Sequence, residues 1–263
     1  MRSKYLLTTF ILVFSLSLFY SCSDDSTNND TTAIPDDAVE FSSPEQAADF
    51  ATQTLDGIGE FVGGGLEYLG KTAGDTTYYK DGWWINEGDF NYGDDTTSWK
   101  WNYTSKYRFK KNGKVQKEHA DADEMDLIMD IVASFSGSQG GYSYDYNLKY
   151  YFDLNYTNLQ SQAPVVNGSG YYDYKINQTG PNGTQKLRYY IKYNFEDLAV
   201  PYDGYPTGKL TVETKKYKVV MVFNGTNIVK VTVYEGNSLV WGPKDYNLDS
   251  GGGDYLGVPK VRF

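Results

Sequence analysis

From Trp83 onward, apolar and polar residues alternate with a period of two. Trp99, Trp101, Tyr103, Tyr107 and Phe109 are interleaved with Lys100, Asn102, Thr104, Lys106 and Arg108. The pattern is most regular at Tyr142, Tyr144, Tyr146, Leu148, Tyr150, Phe152, Leu154 and Tyr156, set against Ser143, Asp145, Asn147, Lys149, Asp153 and Asn155. Shorter copies run through Tyr172, Tyr174 and Ile176, through Leu187, Tyr189, Ile191, Tyr193 and Phe195, through Tyr217, Val219, Met221 and Phe223, and through Val229, Val231 and Val233. Neighbouring side chains of a strand point to opposite faces, so this alternation predicts strands with one face buried and one wet, the pattern of antiparallel pairing. Asn112-Gly113 and Asn224-Gly225 fall between such runs and suit tight hairpins, whose central residues need positive φ.

Segment 121–135 satisfies two periods. Met125, Ile128, Met129 and Val132 fit a helix, whereas Met125, Leu127, Met129, Ile131, Ala133 and Phe135 fit a strand. Its place between two strong strands favours strand. Ahead of the alternating region, Ser43 suits an N-cap, Pro44 the first helical position and Gln46 the return partner of a capping box. Ala47, Phe50, Ala51, Leu55, Ile58 and Val62 then make one apolar stripe, which Gly63-Gly64-Gly65 weakens or ends. The expected fold is therefore mainly β: an antiparallel meander sheet of roughly eight to ten strands, half-barrel or barrel, with one N-terminal helix packed against it.

The first 21 residues follow the order of a secretory signal, with Arg2 and Lys4 ahead of an apolar run from Tyr5 to Tyr20. A bilayer span takes roughly 20 apolar residues, and this run is shorter and broken by Thr8, Thr9, Ser15 and Ser17, which disfavours an uncleaved anchor. Phe19-Tyr20-Ser21-Cys22 resembles the lipobox of bacterial lipoproteins, with Phe19 and Tyr20 standing where leucine and a small residue are usual. Ser23-Asp24-Asp25 resembles the acidic export signal of surface lipoproteins of the Bacteroidota type. The resemblance implies cleavage before Cys22, acylation of its thiol, and residence at the outer membrane, lipid-anchored and facing the cell surface or the periplasm. Each buried methylene contributes about 0.8 kcal/mol, so several acyl chains would hold the protein durably. Residues 22–40 then read as the lipidated cysteine and an acidic tether, because Asp24, Asp25, Asp30, Asp36, Asp37 and Glu40 lie among Ser, Thr and Asn with little to bury. Residues 41–263 make a single β-rich domain.

Charge and composition narrow the partners. Residues 1–21 hold two basic residues and no acid, so the remainder carries 22 Lys+Arg against 34 Asp+Glu, a net of -12. Such a surface repels phosphate backbones, which argues against nucleic acid. Cys22 is the one cysteine, so no disulfide can form within the chain. The aromatics, 26 Tyr, 13 Phe and 5 Trp, offer apolar area but bring many hydroxyls that need partners.

Candidate chemistry is sparse. His119, the one histidine, lies in a charged stretch without a G-x-S-x-G elbow and reads as a solvated side chain. Zinc would need further His or Cys ligands. Asp121, Asp123, Glu124 and Asp126 mimic a calcium loop but lack the glycine and terminal glutamate in register. No phosphate-binding or dinucleotide fingerprint occurs, so no cofactor is expected. The aromatic ladder is the remaining candidate: Tyr142, Tyr144 and Tyr146 bring three hydroxyls onto one face, where they would either pack in a core or meet a ligand. A lipid-facing outer-membrane barrel would also alternate, and Phe263 suits it, but Pro259 interrupts the last would-be strand. The expectation is a lipid-anchored envelope protein, not an enzyme, that binds an amphipathic small molecule, a glycan or an envelope partner. The alternatives are a polysaccharide hydrolase with paired carboxylates and a purely structural surface lipoprotein.

Overall fold

The computed structural model describes residues 33–55, 76–93, 96–139, 141–181, 183–199, 201 and 204–248. Cys22, the signal segment, Ile58, Val62, the triple glycine, Pro259 and Phe263 lie outside them. The described residues form one helix, α1 (Pro44–Gln53), followed by twelve strands: β1 (Thr76–Lys80), β2 (Trp83–Gly93), β3 (Thr97–Lys111), β4 (Lys114–Gln116), β5 (Glu124–Gln139), β6 (Tyr142–Thr157), β7 (Val165–Gly180), β8 (Gly183–Ala199), β9 (Thr207–Glu213), β10 (Tyr217–Asn224), β11 (Ile228–Glu235) and β12 (Ser238–Asn247). They make a single antiparallel sheet in nearly sequential order, with β4 sharing the edge of β3 that β2 occupies further along. The sheet does not close, so it is an open meander and not a barrel. Among the described residues it has twelve strands where roughly eight to ten were expected; the added ones include short hairpin partners such as β1 and β4.

Local chemistry accounts for the elements. Segment 124–139 is strand, because its apolar positions then line up with both neighbours: Met125 with Phe109 and Tyr156, Leu127 with Tyr107 and Leu154. Asn112 and Gly113 take φ of 50° and 73°, making the tight turn between β3 and β4. Asn224-Gly225 does not make a two-residue turn. Phe223 pairs with Val229, which leaves a longer loop in which Gly225 alone has positive φ and the Asn224 carboxamide accepts from the Thr226 amide and hydroxyl. At α1, Ser43 Oγ accepts from the Gln46 amide at 3.1 Å, and Gln46 returns the bond one residue early, accepting from the Ser42 amide at 2.8 Å.

The end of the expected tether is docked. Ala38 is buried, the Val39 amide donates to the Arg188 carbonyl at 2.8 Å, and Phe41 belongs to the core. This segment lies along the edge of β8 that is left open where β9 stops, since β9 pairs with β8 only over residues 192–199. An unpaired strand edge is a ready partner for passing backbone. Arg188 secures it with ion pairs to Asp37 and Asp173 at 2.8 and 2.7 Å, and Lys215 pairs with Glu40. The acidic residues that read as solvating thus include ones that anchor the chain to the sheet.

One hydrophobic core joins α1 to the inner face of the sheet, from Tyr107, Met125 and Leu127 through Phe152, Leu154, Tyr193 and Phe195 to Val219, Met221, Val231 and Val233. The helix packs on β10, β11 and β12. β3 and β5–β8 are 15 to 17 residues long, while β9–β11 are 7 or 8. The long strands therefore outrun both the helix and the short strands, and their distal halves form a wing. Exposure along β6 records this, rising from 1% at Tyr156 to 45% at Tyr142.

Candidate functional site

On the inner face of the wing, register brings aromatic residues into lateral rows. One row runs Trp99, Phe135, Tyr146, Ile176, Leu187 across β3, β5, β6, β7 and β8. The next, toward the core, runs Trp101, Ala133, Leu148, Tyr174, Tyr189. Within these rows the rings touch. Trp99 meets Phe135 at 3.9 Å between centroids, and Phe135 stacks on Tyr144 at 5.3 Å and on Tyr146 at 5.9 Å. Tyr144 stacks on Tyr146 at 5.7 Å, Tyr146 leans on Tyr174 at 6.1 Å, and the chain of rings continues to Tyr172 and Tyr150. Offset stacks of this kind contribute about 0.5–1.5 kcal/mol per pair beyond area burial.

The platform grades from wet to dry. Trp99, Phe135, Tyr144 and Tyr146 are half-buried, whereas Tyr172 and Tyr174 are buried. Burial raises the Tyr146 phenol above its ordinary pKa, helped by neighbouring Tyr144. Burial pushes Tyr189 up to about 12 and raises Tyr150, Tyr172 and Tyr174 as well. The phenols thus stay neutral at any physiological pH. Among the described residues, the strand positions facing this side of the wing carry no charged residue: outside the Trp99 row come Thr97, Gly137, Tyr144, Gln178 and Gln185.

Glycines seat the rings. A Cβ on Gly137 would lie 2.6 Å from Tyr144 Cε2, one on Gly180 2.5 Å from Tyr142 Cδ1, and one on Gly170 2.2 Å from Phe152 Cδ1. Each ring lies across a neighbouring strand where a side chain would otherwise stand. Of the three tyrosines singled out by alternation, Tyr144 and Tyr146 are brought together in the stack. Tyr142 is set apart, over Gly180 at the hairpin tips.

The opposite face holds a second row that alternation does not flag. Tyr151, Tyr171 and Tyr190 stack at 5.7 and 5.5 Å, with Lys149 over Tyr171 and Arg188 over Tyr190. They occupy polar-phase positions, and the doubled Tyr150-Tyr151, Tyr171-Tyr172 and Tyr189-Tyr190 pairs in the sequence are the signal that rings lie on both faces. Nearby, burial opposes the charge of Asp126, but hydrogen bonds from Lys110, Asn155 and Arg108 prevail and hold its carboxyl below the usual range. The calcium-like acids are therefore engaged elsewhere: Asp126 with those cations and Asp123 with the Asn112 amide. Among the described residues no cluster of His, Cys, Asp and Glu could hold a metal ion. His119 is exposed and sits edge-on to Phe109. Among the described residues no helix is long and apolar enough to cross a membrane.

No protein family, curated protein or solved structure matches this chain.

Proposed function

We propose that this chain is a lipid-anchored envelope protein that binds a neutral glycan on the aromatic inner face of its wing. The observation that carries the reading is the uncharged ring platform from Trp99 to Tyr172, half-exposed at its outer end. A pyranose ring has an apolar face that stacks on an aromatic ring and a hydroxyl rim that pairs with phenols and amides. Tyr144, Tyr146, Gln178 and Gln185 supply such partners side by side. A net charge of -10 on the full chain makes the neutrality of this face distinctive, and it suits a ligand without phosphate or carboxylate. The action is binding without turnover: acid–base hydrolysis of a glycosidic bond needs two carboxyl groups flanking it, and the platform rows contain none. Cys22 acylation would hold the domain at the outer membrane, with residues 23–34 as the remaining tether.

Calorimetric titration of the unlipidated chain with neutral polysaccharides tests the reading. Binding should occur, and Trp99→Ala should weaken it by about tenfold, since loss of one stacking contact costs about 1–1.5 kcal/mol. Tyr144→Phe keeps the ring and should weaken a ligand bonded to the hydroxyl by about 0.5–1.5 kcal/mol without altering folding. Absence of heat with every neutral polysaccharide overturns the proposal, and release of new reducing ends would favour the hydrolase instead.

A further inference from the structure

Two lines of side chains cross at Tyr146 on the inner face of the wing, and only one of them stays open to solvent along its length. The lateral row extends one strand beyond Trp99, because Tyr92 of β2 pairs with Trp99. In register it runs Tyr92, Trp99, Phe135, Tyr146, Ile176 and Leu187 across β2, β3, β5, β6, β7 and β8. Directly paired residues of antiparallel strands share a face, so these six side chains stand on one side of the sheet. They are half-buried from Leu187 to Trp99 and reach 61% exposure at Tyr92. The other line is the β6 column from Tyr142 through Tyr144, Tyr146, Leu148 and Tyr150 to Phe152. It is interrupted at both ends: Tyr142 lies over Gly180 of β7, and Phe152 belongs to the core at 3% exposure.

The lateral row is flanked unequally. Outward lies the row that contains Tyr144, Gln178 and Gln185, whose hydroxyl and carboxamides give and accept hydrogen bonds. Inward lie Trp101, Ala133, Leu148, Tyr174 and Tyr189, which lead into the core. At the centre, Phe135, Tyr144 and Tyr146 are within 19° of parallel, so the floor there has one ring orientation. A ligand lying along the row therefore meets an apolar floor beneath it and hydrogen-bonding groups along one flank. Its stations stand roughly 4.8 Å apart, the spacing of strands, and the six span about 24 Å. That step is close to the advance per unit of an extended, equatorially linked pyranose chain. An α-1,4-linked chain coils and would leave the row after a few units. Along the β6 column, side chains on one face recur only every 7 Å or so, roughly, which is longer than one such unit.

We infer that the ligand is an extended, β-linked neutral glycan lying across the strands, one sugar unit per strand, from Tyr92 at one end to Leu187 and Gln185 at the other. The inference rests on the glycan reading of the platform and adds to it the linkage class, the direction of the chain and the length that is gripped. Tyr92 becomes a binding residue at the end of the row, exposed enough to be replaced without disturbing the core.

The test titrates the unlipidated chain in a calorimeter with β-1,4-linked oligosaccharides of glucose, mannose and N-acetylglucosamine, from dimer to hexamer, and with the α-1,4-linked glucose hexamer. Affinity in the best β-linked series should rise at least tenfold from dimer to hexamer, and the α-linked hexamer should bind at least tenfold more weakly. Tyr92→Ala and Gln185→Ala, at opposite ends of the row, should each weaken the hexamer at least threefold. Both should leave the dimer, which sits on the central rings, within twofold of the parent. Tyr142→Ala should leave the hexamer unaffected, and far-ultraviolet circular dichroism should be unchanged in all three variants. Weakening of the hexamer by Tyr142→Ala with none by Tyr92→Ala would place the chain along β6 and overturn the inference. Equal affinity for dimer and hexamer, or for the α- and β-linked hexamers, also overturns it; if Trp99→Ala still weakens binding in those cases, the platform stands. Absence of binding by every oligosaccharide removes the glycan reading and the inference together.

Discussion

At Gly170 a single methyl group would collide with both ring and backbone, lying 2.2 Å from Phe152 Cδ1 and 2.5 Å from the Tyr151 carbonyl oxygen. Gly170→Ala should therefore cost about 1–3 kcal/mol in denaturant unfolding, as overpacking does. Phe152→Ala, which empties the same contact, should cost about 3–5 kcal/mol, while Asn147→Ala on the opposite face should stay within about 0.5 kcal/mol. Tyr156 gives the reverse sign. Its hydroxyl is buried without a hydrogen-bond partner among the described residues, so Tyr156→Phe removes a desolvated group and should stabilise the fold by about 1 kcal/mol. A loss of stability in Tyr156→Phe would show that the hydroxyl is satisfied in solution. Alternation places Phe152 and Tyr156 on one face because the period of two fixes facing residue by residue. It does not reveal which glycine lies under which ring, since that depends on the register between strands far apart in sequence.

At the scale of elements, strands and helix follow directly from local pattern, and even the ambiguous 121–135 segment resolves once its neighbours are strands. The number of strands and the limit of the tether do not. β1 and β4 are too short to show a period, and Pro35 to Glu40 looks solvated because its binding surface, the open edge of β8, exists only after β9 has ended early. Arg188 is the lock on that segment. Its guanidinium, raised in pKa chiefly by the Asp173 hydrogen bonds and further by Asp37, joins the two acids to β8. Arg188→Gln should cost about 2 kcal/mol, in the range of hydrogen bonds to charged groups. The same variant should make residues 33–41 cleavable by protease under conditions where the parent resists. Unchanged proteolysis would mean that backbone pairing and the burial of Ala38 and Phe41 suffice to hold the segment.

For the whole molecule, the buried tyrosines set a pH limit. Burial raises Tyr150, Tyr156, Tyr172, Tyr174 and Tyr193 above the value near 10 that each has when unfolded. Their contribution is fully present below pH 10 and is lost as pH climbs toward the folded values, because only the unfolded chain ionises there. Each such tyrosine should steepen the fall by about 1.4 kcal/mol per pH unit, so unfolding followed by tyrosinate absorbance should be a sharp cooperative step above pH 10. Gradual, independent ionisation would contradict the packing. At the amino terminus, Cys22→Ala should abolish fatty-acid labelling and release the protein from the membrane fraction; retained labelling would refute the lipid anchor. The central claim is that the wing's ring platform is a working surface and not an extension of the core. Solution NMR of the unlipidated chain titrated with a neutral polysaccharide tests it most directly. The account predicts saturable shifts at Trp99, Phe135, Tyr144 and Tyr146 with the core rings of Phe195 and Tyr156 unmoved; shifts confined to other surfaces, or none, would contradict it.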